Sequence, residues 1–174
     1  MDDAGNMMKI DYISLKKQGN LWEKADYIRE SILSFLDDDE RQSVTGVFVE
    51  ENLQVFRRGL SSARTLMTLA KFNGIVCYIL RDIFEIDPIS INVNEARKSV
   101  GLKVISTKKG GKPTKEQVID WVTDRLSMKK YVWPTKILKS GPRRGQTILL
   151  PECADMADAY VISAAAHHLY TAHD

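Results

Sequence analysis

Residues 44–52 read "VTGVFVEEN", a run of apolar and β-branched residues that ends in two acids, Glu50 and Glu51. The run is short and lacks strict alternation, which is typical of a strand buried on both faces. Apolar residues then recur at three- and four-residue spacing over about residues 59–84 and predict a long helix. A buried strand that leads into a long helix indicates an α/β layered domain.

The flanking segments continue this alternation of strands and helices. Upstream, the sequence predicts a turn at "DDAGN", a strand at residues 7–16, a helix at 21–36 capped by Asn20, and a polar break at "DDDERQS". Downstream, it predicts a strand at 89–93, a helix at 95–100 capped by Asn94, and another helix capped by Thr114. A hairpin around "KSGPRRG" and a final helix from about 153–155 to 170 complete the chain. Without internal repeats, residues 1–174 are expected to form a single domain.

Composition excludes several classes of protein. The chain has 44% hydrophobic and 28% charged residues, ordinary values for a globular protein. Its apolar runs fall short of the ~18–20 residues that span a bilayer, so no membrane partner is expected. The N-terminus lacks the charge order of a signal peptide. The only cysteines, Cys77 and Cys153, show no pairing pattern, which favours a reducing, cytosol-like compartment.

Charge is distributed unevenly along the chain. Residues 96–150 carry 14 Lys and Arg against three Asp and Glu, whereas the rest of the chain carries 11 basic and 20 acidic residues. Such a split favours a polyanionic partner, with nucleic acid as the first candidate, although a basic stretch can also be a solvated surface. The segment has no Walker-type phosphate loop, because the Gly-x4-Gly-Lys-Ser/Thr spacing is absent.

Two aspartates stand at the start of the last predicted helix, in "PECADMADAYVISAAAHHL" (residues 151–169). Asp155 and Asp158 are three residues apart and therefore share one helix face. Either they cap the helix and complement its dipole, or they hold a cation. Glu50 and Glu51 follow a predicted strand, at the kind of position where α/β sheets gather functional groups. Carboxylates from these segments could hold one or two Mg²⁺ ions, which can activate water for phosphodiester cleavage.

The order of these features resembles the RuvC family of Holliday-junction resolvases, which are RNase H-like nucleases. The resemblance covers about residues 7–170 and rests on "VFVEEN", "GLSSARTLMTLAKFNGIV", "NEARKSVG", the basic glycine loop, "KEQV" and "DMADAYVISAAAHH". It implies an RNase H-like mixed sheet flanked by helices. It also implies a Mg²⁺-dependent, homodimeric endonuclease that resolves four-way DNA junctions, with Mn²⁺ as a possible substitute, in bacterial or phage-infected host cytosol near the nucleoid.

The resemblance also assigns residues. Glu50, with Glu51 as the neighbouring alternative, matches the family's second metal-binding acid, and Asp155 and Asp158 match the last two. Lys98 and Lys115 match lysines that contact DNA phosphate or support charge near the reacting centre. Each lysine could equally be an exposed charge on the flank of a helix. The helix at residues 59–84 is the candidate dimer face.

The chain departs from the family at its N-terminus. Family members begin with a strand that carries Asp in a pattern like G-[IL]-D-x-[GS], followed by a second strand. Here the sequence starts at the turn after that second strand, and Asp2 and Asp3 belong to the turn. We therefore expect an N-terminally truncated member without the first acid, through a truncated gene model, a wrong start codon or a genuinely shortened protein.

A four-way junction would give the basic segment a use, because each neutralised phosphate adds to affinity. The loop "STKKGGKPTK" could follow a DNA backbone, and a basic hairpin insert spans about residues 129–150. Trp133 in that insert either stacks on an unpaired base or anchors the hairpin to the core. A non-cutting branched-DNA-binding protein and another RNase H-like activity, such as RNA–DNA hybrid cleavage, are the alternative functions. The expected DNA-binding residues are Lys98, Lys108, Lys109, Lys112, Lys115, Arg143 and Arg144.

Overall fold

A computed structural model describes residues 1–51, 63–126 and 131–170. The chain forms two compact units: a middle unit, Ile13–Asn92, and a terminal unit that combines Met1–Tyr12 with Val93–Asp174. Helices and short strands occur in both units, which confirms an α/β composition in general. The prediction of a single domain over residues 1–174 stays a prediction.

The middle unit is built on two helices whose apolar stripes pack together. Helix α1 (Leu21–Phe35) begins with a capping box in which the side chain of Asn20 accepts from the backbone N–H of Glu23 at 3.0 Å. Its buried residues Ala25 and Ile28 pack against Ile79. The predicted helix and its cap are therefore confirmed.

The polar segment after α1 is also helical, contrary to prediction. Asp37 and Glu40 form a second capping box, which starts the short helix α2 (Asp38–Gln42). Arg41 then donates to the carbonyl oxygen of Leu36 at 2.6 Å and so ties α2 back to the end of α1. The error arose because the density of acids was taken as a break, whereas acids in a first turn stabilise a helix.

The strands of the middle unit are parallel neighbours. β1 (Phe48–Glu50) pairs with β2 (Ile89–Ile91), and Glu50 lies opposite Ile91. Between them in sequence, α3 (Ala63–Phe84) confirms the long helix from residue 63 onward, while residues 59–62 lie outside the described part. Full burial of β1 on both faces was wrong, because Phe48 and Val49 are half-buried and Glu50 is exposed.

The N-terminal strand predicted for residues 7–16 is not formed. Residues 7–15 have no regular structure and belong to neither of the two-stranded sheets found in the described residues. An extended segment without a partner strand has no ladder to satisfy its backbone groups. The turn before it is confirmed, since the carboxylate of Asp2 accepts from the backbone N–H of Asn6 at 2.7 Å.

The terminal unit packs three helices: α4 (Val93–Ser99), α5 (Thr114–Leu126) and α6 (Cys153–Tyr170). α6 contacts both of the others, and its alanines let the helices approach closely. Asn94 and Thr114 lie inside α4 and α5, not at the caps predicted for them. The most deeply buried core residues are Ala96, Val118, Val122, Cys153, Ala157, Val161 and Ala165.

The predicted hairpin joins α5 to α6 in the sequence. β3 (Thr135–Ile137) pairs with the antiparallel β4 (Thr147–Leu149), and Gly141 (φ +79°) lies in the tip that connects them. Trp133 is buried at the base, where its indole Nε1–H donates to the hydroxyl of Thr123 at 2.7 Å. Trp133 therefore anchors the hairpin to the core, which decides between the two roles predicted for it.

Candidate functional site

The first two turns of α6 carry the acid pair. Backbone bonds from Cys153 to the Leu150 carbonyl (3.1 Å) and from Met156 to the Glu152 carbonyl (3.0 Å) start the helix. Asp155 therefore lies within the first turn, where its charge complements the helix dipole, and it is not the cap residue. Its side chain is exposed, whereas the neighbouring Met156 is buried. Asp155 is thus presented at the surface at the start of α6.

Asp158 is held by a cation that the sequence reading did not single out. Arg97 on α4 donates through Nη2 to Oδ1 of Asp158 at 2.7 Å, and the two side chains are only 14% and 18% exposed. The Nε of Arg97 is buried without a hydrogen-bond partner. This ion pair fixes the mostly buried carboxylate through one oxygen, one helical turn after Asp155.

Glu50 and Glu51 differ in their surroundings within the middle unit. The carboxylate of Glu51 accepts from Nδ2 of Asn92 at 3.1 Å, and its backbone N–H donates to the Ile91 carbonyl at 2.9 Å. Glu50 ends β1 with an exposed side chain, and its carbonyl accepts from Nδ2 of Asn73 at 3.4 Å. The strand-end position predicted for both acids is confirmed.

The structure brings together only some of the predicted ligands. Asp155 and Asp158 share a face in the terminal unit, and Glu50 belongs to the middle unit. Over residues 1–51, 63–126 and 131–170, no group of three His, Cys, Asp or Glu side chains is arranged to hold a metal ion. That Glu50 binds the same metal ion as the two aspartates stays a prediction.

A basic cleft adjoins the Arg97–Asp158 ion pair. Its volume is about 250 Å³, and Arg97, Lys98 and Lys103 line it together with Leu102 and Val104. Lys98 and Lys103 are exposed, so their ammonium groups are accessible to an anion. Lys98 is thus exposed, as it would be either as a contact to DNA phosphate or as a solvated charge on the flank of a helix.

The basic loop between α4 and α5 is an ordered structure. Residues Thr107–Lys109 form one 3₁₀ turn, and Gly110 ends it with φ +83°. The side-chain amide of Gln117 bonds both the N–H and the C=O of Ile105, at 2.9 and 2.8 Å, and also the carbonyl of Lys112 at 2.6 Å. Gln117 thus closes the loop at both ends, a role the sequence reading missed.

The predicted DNA-binding cations of the loop, of α5 and of the hairpin differ in their surroundings. Lys112 donates to the carboxylate of Asp120 at 2.6 Å, and this hydrogen bond, with the nearby negative charge, raises the pKa of Lys112. Lys115 is exposed in the first turn of α5. The other exposed cations lie in the loop or at the hairpin tip and are Lys108, Lys109, Arg143 and Arg144.

Sequence signals for the missed residues exist but are weak. Arg97 follows the buried Ala96 on a seven-residue helix and is itself only partly exposed. Gln117 precedes the buried Val118 and is the one uncharged polar side chain with two donors in "TKEQV". Both patterns indicate a semi-buried polar position, but neither specifies the partner.

Comparisons of the chain with protein-family models, with curated proteins and with solved structures gave no match. In the ranges that the structure describes, no helix combines the length and the apolar character needed to cross a membrane. The acid pair, the basic cleft and the basic loop of the terminal unit are the features that bear on function.

Proposed function

We propose that this protein is a metal-dependent endonuclease that acts on four-way DNA junctions, with the RNase H-like fold that its motif order resembles. The observation that carries the proposal is the Arg97–Asp158 contact, because Arg97 lines the basic cleft and also bonds an aspartate in the second turn of α6. A nuclease of this kind needs carboxylates for a metal ion and cations for the phosphate next to it. Both groups of residues adjoin one another in the terminal unit.

The donor chemistry of the acids suits Mg²⁺. Mg²⁺ prefers hard oxygen ligands and typically binds one or two carboxylates while keeping several waters. Asp155 is exposed, and Asp158 uses one oxygen, Oδ1, in its bond to Arg97. These two aspartates would hold the ion, and Mn²⁺ would substitute for it; Glu50 as a further ligand stays a prediction of the family resemblance. A bound ion would supply an activated water and charge stabilisation at the leaving oxygen.

The cations of the terminal unit bind and orient the DNA backbone in this proposal. Lys98 lines the cleft beside the acid pair, and Lys115 lies at the start of α5. Each phosphate that such a side chain neutralises releases condensed counterions, so affinity falls steeply with added salt. A junction presents phosphates from several directions, which suits cations spread over a cleft, a loop and a hairpin tip.

A nicking assay on a synthetic four-way junction with Mg²⁺ or Mn²⁺ tests the proposal. Asp155→Asn and Asp158→Asn should abolish nicking and preserve junction binding, because each removes a ligand charge but little volume. Asp26→Asn, which changes an exposed aspartate on α1, is the matched control and should cut like the wild type. Nicking that survives in both α6 variants would contradict the assignment of the acids.

Symmetric cleavage of a junction needs two active sites, and we therefore propose a homodimer with α3 as its interface. Met67 and Tyr78 on this helix are 62% and 66% exposed. Eleven residues, about three turns, separate them, so they lie on one helix face. Light scattering should give twice the chain mass, and Tyr78→Glu should shift the mass to that of a monomer. A monomeric wild type at micromolar concentration would overturn this part.

Binding of branched DNA without cutting is the second candidate function. The pairing of Asp158 with Arg97 favours it, because a carboxylate neutralised by a guanidinium is a weaker ligand for a cation. A non-cutting protein would bind junctions in preference to duplex, without Mg²⁺, and would nick neither. Metal-dependent nicking by the wild type would exclude this candidate.

A further inference from the structure

Gln117 holds the basic loop in one shape through a single side-chain amide. Its Oε1 accepts from the backbone N–H of Ile105 at 2.9 Å, and its Nε2 donates to the Ile105 carbonyl at 2.8 Å. The same Nε2 donates to the Lys112 carbonyl at 2.6 Å. The amide therefore pairs with Ile105 as a neighbouring strand would, and it also clamps the far end of the loop to α5.

The interior of the loop leaves little room for another shape. Ser106 caps the 3₁₀ turn, and its carbonyl accepts from the backbone N–H groups of Lys109 (2.8 Å) and Gly111 (3.2 Å). A Cβ on Gly111 would lie 2.2 Å from the carbonyl oxygen of Ile105, so only glycine allows this close approach. The clamp and the internal bonds together present the loop lysines from a defined backbone.

The three lysines of the loop are not equivalent. Lys112 is bonded to Asp120 on α5 and so braces the end of the loop against the helix. Lys108 and Lys109 are exposed on the 3₁₀ turn, adjacent in sequence. Of the three, only these two form no ion pair with a carboxylate in the part of the chain that the structure describes.

We propose that the loop formed by residues 105–112 is a pre-shaped phosphate clamp for the DNA backbone. Lys108 and Lys109 make the contacts, and Gln117 is the positioning residue. This inference rests on the proposed function and specifies which residues of the basic segment make the backbone contacts. Pre-shaping matters because a loop that is ordered before binding does not lose its conformational entropy in the complex.

A double-mutant cycle on junction binding, measured by fluorescence anisotropy at several salt concentrations without divalent metal, tests the clamp. Lys108→Ala/Lys109→Ala should lower the slope of log Kd against log salt by about 2, at roughly 0.9 per phosphate. Gln117→Met, which keeps the side-chain length but removes all three bonds, should weaken binding about threefold to tenfold. In the triple variant Gln117→Met should add almost nothing, since the lysines through which it acts are gone.

Two controls separate positioning from general destabilisation. Gln42→Met and Lys16→Ala/Lys17→Ala make the same changes at exposed positions of the middle unit. Both variants should bind the junction with a Kd within twofold of the wild-type value. Gln117→Ala is the second variant of the clamp and should show the same non-additivity, with a folded circular-dichroism spectrum.

The possible failures are distinguishable. Full additivity of Gln117→Met and the lysine changes would overturn the positioning role, and an unchanged salt slope in the lysine variant would overturn the clamp. A wild type that binds neither junction nor duplex would overturn the proposed function together with the clamp. If the wild type binds junctions tightly and every clamp variant binds with the same affinity, the clamp is wrong and the proposed function still stands.

Discussion

The guanidinium Nη2 of Arg97 lies 2.7 Å from Oδ1 of Asp158, so one ion pair joins α4 to the second turn of α6 across 61 residues of sequence. Both side chains are mostly buried, at 14% and 18% exposure. The pair therefore belongs to the packing of the terminal unit as well as to its candidate site. A change to either residue should affect both stability and chemistry.

Removing one partner of this pair should destabilise the protein. Arg97→Met keeps the aliphatic stem but leaves the Asp158 carboxylate half-buried without its cation, at a cost of about 1–3 kcal/mol in the free energy of unfolding. Urea denaturation measures it. Arg81→Met, which breaks the exposed pair with Asp87, should cost far less. Equal losses in the two variants would show that the Arg97 pair contributes no more than a surface contact.

Gly111→Ala should open the basic loop. The added Cβ meets backbone atoms of Ile105 at 2.2 and 2.8 Å, so the chain must shift and the Gln117 bonds must lengthen. Gly110→Ala is the control, because its Cβ would meet nothing within 4 Å and only its φ of +83° costs about 1 kcal/mol. Amide hydrogen exchange at Ile105 should accelerate strongly in the first variant and little in the second. The reverse order would contradict the observed close approach.

Thr123→Val should loosen the base of the hairpin. The Thr123 hydroxyl accepts from the Trp133 indole N–H at 2.7 Å and donates to the Ile119 carbonyl at 2.7 Å. Valine has the same shape without the acceptor, so the buried indole loses its partner, at about 1–2 kcal/mol. Thermal unfolding followed by tryptophan fluorescence measures the loss. Thr123→Ser keeps the hydroxyl and should recover most of the stability; a Thr123→Val variant as stable as the wild type would contradict the anchoring role of this bond.

Stability should fall at alkaline pH in a way that depends on Cys153. Burial raises the pKa of this thiol above its usual value of 9.0. Below pH 9.0 both states are protonated and stability is complete. Above it the unfolded chain ionises first, so stability falls as pH rises, by up to about 1.4 kcal/mol per pH unit.

Cys153→Ser tests that dependence, because serine does not titrate and can still donate to the Pro134 carbonyl, which the thiol approaches at 3.3 Å. Denaturant titrations between about pH 8 and 10.5 should show a shallower fall in this variant. The thiol pKa of Cys77 is also raised by burial, so Cys77→Ser is the comparison for the other unit. An unchanged slope in both variants would assign the alkaline loss to other groups.

Local chemistry determined which elements the sequence could predict. Helix α1 was predicted with its cap because Asn20 is a favoured N-cap residue and the stripe through Ala25 and Ile28 has the helical period; the structure adds the capping box with Glu23. Residues 7–16 failed because alternation alone does not provide a partner strand. The same capping-box spacing at Asp37 and Glu40 was available for α2, but the acids around it were read as a polar break.

The candidate site was predictable in its acids and not in their partners. Asp155 and Asp158 share a face because helical spacing requires it, and Glu50 ends β1 because the β-branched and aromatic run stops at the acids. The pairing of Arg97 with Asp158 depends on how α4 packs on α6, which no local pattern contains. The Gln117 clamp likewise depends on the path of a loop that begins 12 residues earlier.

Because the hairpin is anchored at its base, the protein should tolerate proteolytic cleavage at the hairpin tip. Trp133 fixes the entry strand in the core, and β4 runs into α6, so both halves are secured on either side of the exposed tip at Arg143 and Arg144. Trypsin should nick the chain there and leave a protein whose two fragments stay associated and unfold together. The tip is accordingly the natural place for new chain ends in a circular permutant, or for an inserted reporter domain, in this fold.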